Sequence, residues 1–370
     1  MPFADELING WTAESLTRGI RTAAPDAPLT ALRAAGTRLE GLALRERADV
    51  LRDALLEDLP GDYAQFARVL RSARDTAPSF SGWLIWPVTS AAATKAVADG
   101  SDTAFDDAMS LMAELTGRLT AEFAIRTLLR HNLDRALDIV TGWTQSDDVD
   151  VRRLASEGTR SYLPWSVRVP ELIARPGATV SILDALYQDP SEYVRRSVAN
   201  HLNDLSRDHA SLVVDTARRW SERPDANTAS IIRHGLRTLV KRGDAGALSV
   251  LGFSADNAAI EVDGPHLDRT RVPAGEAVEL HAIIRNIGDA DARLAIDYIV
   301  HHRRANGGQT TKTFKLTTAT LKPGQSVEVR RSHSFRPITT RRYYPGEHAI
   351  ALQINGVATP PATFELLPPT

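Results

Sequence analysis

The sequence predicts two domains of different class: an α-solenoid of helical repeats, then an antiparallel β-sandwich. Three observations carry this expectation. At 370 residues the chain is long enough for two or three domains. Up to about residue 250, apolar residues recur at intervals of three and four; after residue 256 they alternate at intervals of two. Glycine and proline fall mainly between the periodic runs. The expected domains are therefore 1–255 and 256–370.

Composition narrows the function classes. Hydrophobic residues at 43% and charged residues at 24% describe an ordinary globular protein. The absence of cysteine excludes disulfides, thiolate zinc sites and cysteine nucleophiles, and it fits a reducing cytosol. The opening MPFADELING has neither a basic nor an apolar region, so no signal peptide is expected. The most apolar stretch, Trp83 to Ala98, contains Pro87 and Lys95 and is too short to span a membrane. A cytoplasmic location follows as the expectation. A net charge of −2 argues against a globally electrostatic nucleic-acid binder but leaves room for a local basic face. Arginine supplies 39 of the 44 basic residues. Either a GC-rich genome or phosphate binding accounts for that bias.

The helical runs come first. Leu42 to Leu56, Asp106 to Leu115, Ala121 to Leu129 and Leu133 to Trp143 each read as helix. DVRRLAS (150–156) is then echoed by YVRRSVA (193–199). Val151, Val194 and Ile232 align at spacings of 43 and 38 residues, which HEAT-like helix pairs show. Such units stack because none can bury its apolar stripe alone.

At 100° per residue, Val151, Leu154 and Ala155 share one face, and Arg153, Glu157 and Arg160 share the opposite one. From Val194 the polar face holds Arg196, Asn200, Asn203, Asp204 and Arg207. From Ile232 it holds His234, Thr238, Lys241 and Arg242. Glu122, Arg126 and Arg130 line up at steps of four. Stacked repeats would merge these sets into one Arg-rich surface with embedded carboxylates, suited to a phosphate polymer on which chemistry occurs. Solvated intrahelical ion pairs are the simpler explanation for any single pair. His201 falls near the apolar side and reads as a packed histidine.

The strands follow. VPAGEAVELHAIIRNIG (272–288), LAIDYIVHH (294–302), LKPGQSVEVRRSHSF (321–335) and YPGEHAIALQING (344–356) alternate between Pro-Gly, Ala-Gly and Asn-Gly turns. Seven or so short strands predict an immunoglobulin-like sandwich. Its stretch from His301 to Arg342 carries ten basic residues, Arg303, Arg304, Arg330 and Arg331 among them, against the single acid Glu328. That run is either a solvated face or a second contact with a nucleic-acid backbone, which would make the domain a clamp on the duplex. His301-His302 has no partner at ligand spacing, so no metal is expected.

SEGTRSYLPW (156–165) and VRRSVANHLNDLSRDH (194–209) resemble signature segments of the HEAT-like-repeat DNA alkylation-repair glycosylases, the AlkC/AlkD superfamily. The C-terminal sandwich makes the AlkC branch the closer match. The sequence departs from the family at Ser161-Tyr162, where the resemblance would place a proline and a basic residue before LPW. The resemblance implies hydrolysis of the N-glycosidic bond of cationic alkylated bases, 3-methyladenine and 3-methylcytosine, in double-stranded DNA. It implies that the base is not swung into a deep pocket. The leading expectation is a cofactor-free enzyme, and monomeric action on one lesion is the simplest expectation. Glu122, Glu157 and Asp204 match the family's active-site segments. Glu157 and Asp204 are expected to stabilise an oxocarbenium ion and activate water, with Glu122 in support. Trp165 is either an aromatic wall against the sugar or a core residue. Arg153, Arg160, Arg196, Asn200, Asn203, Arg207, Lys241 and Arg242 would contact DNA. The only lysines of the helical half, Lys95 and Lys241, lie in no motif for Schiff-base chemistry, so lyase action is not expected. The competing readings are a non-catalytic DNA-binding repair scaffold and a protein-interaction solenoid.

Overall fold

The computed structural model describes residues 4–253, 259–338 and 341–368. Helices follow one another from Ala4 to Val250, and among the described residues no strand precedes Ile260. None of the described helices is long and apolar enough to cross a membrane. The expected runs appear as helices Leu44–Asp58, Asp102–Thr116 and Leu133–Trp143.

The run from Ala121 to Leu129 differs. Its helix is Ile125–His131, and residues 121–124 form a turn. The reason is local. The Thr116 hydroxyl accepts from the Ala121 amide (3.3 Å), and the Thr120 hydroxyl accepts from the Glu122 amide (3.2 Å). Side chains thus satisfy amides that a continuous helix would use, and the helix starts late. Glu122 consequently sits on a turn, not on a face shared with Arg126 and Arg130.

Helix Val149–Glu157 is capped by Asp148, whose carboxylate accepts from the Asp150 amide. It packs beside Glu192–Leu205, which packs in turn beside Thr228–Gly235. The third helix corrects one expectation. It stops at Gly235, and a separate helix, Arg237–Arg242, follows. His234 therefore shares no continuous face with Thr238, Lys241 and Arg242. Gly235 also allows close packing, because a Cβ there would lie 2.8 Å from Leu202 Cδ2.

The chain divides into two compact units. Met1–Leu205 with Trp220–Gly235 form one, and Ser206–Arg219 with Leu236–Thr370 form the other. The second unit thus includes helices Arg237–Arg242 and Ala245–Val250, where Leu248 and Phe253 pack on Ala295. The expected boundary at 255/256 lies outside the described residues.

The β-domain holds β1 (Ile260–Leu267), β2 (Arg271–Val272), β3 (Ala277–Asn286), β4 (Ala292–Arg303), β5 (Gln309–Leu321), β6 (Ser326–Ser334), β7 (Gly346–Ile354), β8 (Val357–Ala358) and β9 (Ala362–Leu366). One sheet has the order β1-β3-β6; the other has β2-β9-β7-β4-β5, with β8 on β7. All pairs are antiparallel except β2 with β9. Alternation decides the faces: Val278, Leu280, Ala282 and Ile284 of β3 point inward against Ile296, Tyr298 and Val300 of β4.

Candidate active site

Five charged side chains from three segments form one buried chain of contacts. Arg153, on helix Val149–Glu157, bonds the Glu122 carboxylate and lies 3.6 Å from Glu157 Oε1. Arg160, in the turn after that helix, bonds Glu157 Oε1 through Nη1 and Asp204 Oδ2 through Nε (2.8 Å). The order is Glu122–Arg153–Glu157–Arg160–Asp204, and no side chain in it is more than 16% exposed. Three carboxylates face two guanidiniums, and the buried Arg126 guanidinium lies within electrostatic reach of Asp204 and Arg160. Buried charges persist only when paired and hydrogen-bonded, so each member depends on its neighbours.

Further polar groups fix the carboxylates. Ser197 donates to Glu157 Oε2 (2.7 Å), and Thr120 donates to Glu122 Oε2 (2.9 Å). Tyr193, 45% exposed, lies against the Arg153 guanidinium, 5.0 Å from ring centre to Cζ. Burial pushes the Glu122 carboxyl above its ordinary range; Arg153 opposes the shift and Glu157 adds to it. Burial also works against the charge on Arg160, but its bonds to Asp204 and Glu157 prevail and hold it firmly protonated. The cluster is fixed and water-poor, so its charges are weakly screened.

The loop after Glu157 is held from within. Arg126 is fully buried and donates to the carbonyls of Gly158 (3.1 Å), Arg160 (2.8 Å) and Val167 (2.5 Å). It therefore ties the two ends of the segment that carries Trp165. Burial, then repulsion from Arg168 and Arg160, pulls its guanidinium down to about 10. Gly158 permits this closeness, since a Cβ there would lie 2.8 Å from Ile125 Cγ2. Trp165 is not a core residue: its side chain is 44% exposed, and its φ is 59°. His201 is packed, between the Ser156 carbonyl (2.9 Å) and Thr179 Oγ1 (3.2 Å). Burial, reinforced by Arg160, lowers its pKa to about 3, so it stays neutral.

The structure gathers all three expected carboxylates. It also reassigns two arginines expected on phosphates. Arg153 and Arg160 are buried and held by carboxylates, because Glu122 and Asp204 reach them from other segments. Arg196 is exposed and bonds Glu192 (2.7 Å). Asn200 accepts from His234 (3.0 Å), and Asn203 is partly exposed on the same helix. Arg207, Lys241 and Arg242 are exposed in the second unit, where Arg242 bonds the Arg207 carbonyl (3.2 Å). On the β-domain Arg303 ends β4, Arg304 follows it exposed, and Arg330 and Arg331 are exposed on β6; Arg330 bonds Glu328 (2.7 Å). Among the described residues no group of three or more His, Asp or Glu is placed to hold a metal ion.

Sequence reasoning missed Ser197, Thr120 and Tyr193. Ser197 had a usable signal: it sits three residues after Val194, next to Val198 on the inward side, where a hydroxyl requires a polar partner.

Fold and site together define a class: a helical body with a buried carboxylate–guanidinium cluster, followed by an immunoglobulin-like β-domain. Residues 261–368 match the family model described as the C-terminal Ig-like domain of the uncharacterised protein YhaZ. Over 328 residues the chain is 33% identical to the uncharacterized protein YhaZ of Bacillus subtilis (strain 168), covering 88% of each. It also aligns with the Pseudomonas fluorescens alkylpurine DNA glycosylase AlkC, solved bound to DNA containing an abasic site analog. The TM-score is 0.85 at 33% identity, over 99% of this chain and 100% of that one. The chain belongs to the AlkC family.

Proposed function

We propose that this protein is a monofunctional DNA glycosylase that releases cationic alkylated bases, 3-methyladenine and 3-methylcytosine, from duplex DNA and so initiates base excision repair. One observation carries the reading: Glu122, Glu157 and Asp204, from three separate segments, converge in one buried cluster. An N3-methylated base already bears positive charge and leaves neutral, so it needs little acid assistance. As the bond lengthens, the positive charge moves to the sugar. A fixed carboxylate then stabilises the oxocarbenium ion, and a second orients the attacking water. Glu157 and Asp204 take these two roles; Glu122 supports them by anchoring Arg153.

Trp165, exposed at the end of its loop, would face the sugar and support its positive charge with the ring. No deep base pocket is required, because the chemistry is at the sugar. The helices would stack as a HEAT-like solenoid, with Arg196, Asn200, Asn203, Arg207, Lys241 and Arg242 on DNA, and Arg303, Arg304, Arg330 and Arg331 would give the β-domain its own phosphate contacts. The protein would act as a monomer in the cytoplasm.

A duplex carrying one 3-methyl-2′-deoxyadenosine tests the proposal. Wild-type protein should leave an abasic site that breaks only on later alkali treatment. Glu157→Gln should bind the duplex but leave the base attached. Base release by Glu157→Gln at the wild-type rate, or no duplex binding by wild type even at low salt, contradicts it.

A further inference from the structure

The loop that carries Trp165 is also held from outside. Arg45, exposed on helix Leu44–Asp58, donates to the Trp165 carbonyl from Nε (3.0 Å) and Nη2 (2.6 Å), across 120 residues of sequence. Trp165 itself takes the left-handed conformation, φ 59°, which strains a bulky L-residue. Its indole nonetheless remains 44% exposed. Packing alone does not produce a strained backbone that leaves a large apolar ring in water. Something must hold it, and the group held is the Trp165 carbonyl, which anchors the backbone beside the Cα from which the ring projects. Arg126 fixes the loop's ends at Gly158, Arg160 and Val167, and none of these bonds is to Trp165. Arg45 supplies that restraint, and its planar fork delivers two donors to one acceptor.

We propose that Arg45 is a positioning residue: by clamping the Trp165 carbonyl it keeps the indole presented toward the sugar of the damaged nucleotide. This rests on the glycosylase reading of Trp165, and it gives the N-terminal helices a part in the reaction.

The test uses full-length Arg45→Ala, Arg45→Lys, Trp165→Ala and the double variant, in single-turnover base release with melting temperature as the folding control. Arg45→Ala is expected to lower the maximal rate about tenfold at unchanged half-saturation. Its melting temperature should stay at the wild-type value, and Arg45→Lys, with one donor in place, should restore part of the rate. The double variant should be no slower than Trp165→Ala, since Arg45 acts through the tryptophan. Hydrogen exchange gives a readout independent of catalysis: amides between 161 and 167 should exchange faster in Arg45→Ala and no others should change.

Unchanged exchange in that loop overturns the proposal. So do losses that multiply in the double variant, or an Arg45→Ala defect that is only weaker binding to undamaged duplex, which would make Arg45 a phosphate contact. A wild-type rate for Trp165→Ala overturns it through the reading on which it rests, while the exchange result still reports whether Arg45 holds the loop.

Discussion

Asp204→Asn removes one charge and little else. Asparagine keeps the size and an oxygen that can accept the Arg160 Nε–H bond of 2.8 Å. The cluster loses one unit of negative charge. A carboxylate about 4 Å from a unit positive charge stabilises it by about 4 kcal/mol at an effective dielectric of about 20. At about 1.4 kcal/mol per decade that corresponds to roughly a thousandfold in rate. Solvent at the open side of the site weakens the interaction, so the expected loss is roughly a hundredfold to a thousandfold. The assay is single-turnover release of 3-methyladenine with enzyme in excess, alongside duplex affinity by fluorescence anisotropy. Affinity should hold, because Asp204 repels phosphate and does not bind it. A rate within about threefold of wild type, from folded protein, refutes the electrostatic argument.

Three further outcomes follow from the same geometry. Arg126→Met strands two buried carbonyls and one half-buried one and should cost about 2–4 kcal/mol in urea unfolding, only partly offset by removal of a buried charge; an unchanged midpoint contradicts the staple. Gly158→Ala places a methyl 2.8 Å from Ile125 Cγ2 and 3.0 Å from the Leu154 carbonyl, and should lower stability by about 1–3 kcal/mol with a shifted loop. In the β-domain, burial holds His302 down at about 3 and His333 at about 4, and it also lowers His348. Unfolded histidines titrate near pH ~6.5. Below that pH the unfolded chain binds more protons, so stability present at neutral pH is lost as pH falls, by about 2 kcal/mol each for His302 and His333 at pH ~5. Urea midpoints measured across this range should show the slope, and His302→Phe should flatten it.

Much of the candidate site was legible because Glu157 and Asp204 lie in short motifs whose helical period is intact. Glu157 is the last residue of its helix and Asp204 lies one turn from Arg207, so face arithmetic placed both on the polar side. What the arithmetic could not see was tertiary. Arg153 meets Glu122 across 31 residues and Arg160 meets Asp204 across 44, and only chain packing creates those pairs. Glu122 was assigned to a helix because the apolar spacing from Ala121 onward is helical; the hydroxyls of Thr116 and Thr120 decided otherwise. Arg45 carried no local signal at all, since its partner is a backbone carbonyl, which any residue presents. In the β-domain the long alternating strands were readable, whereas the two-residue strands β2 and β8 exist only through their partners β9 and β7.

The central claim is that the carboxylate cluster breaks a glycosidic bond. Mass-spectrometric quantitation of free bases released from methylated genomic DNA tests it most directly, with wild-type protein and Asp204→Asn in parallel. Wild type should release 3-methyladenine without strand cleavage, and the variant should stay near the no-enzyme control. No release by wild-type protein that is folded and binds duplex DNA would contradict it and leave a DNA-binding scaffold on the same fold.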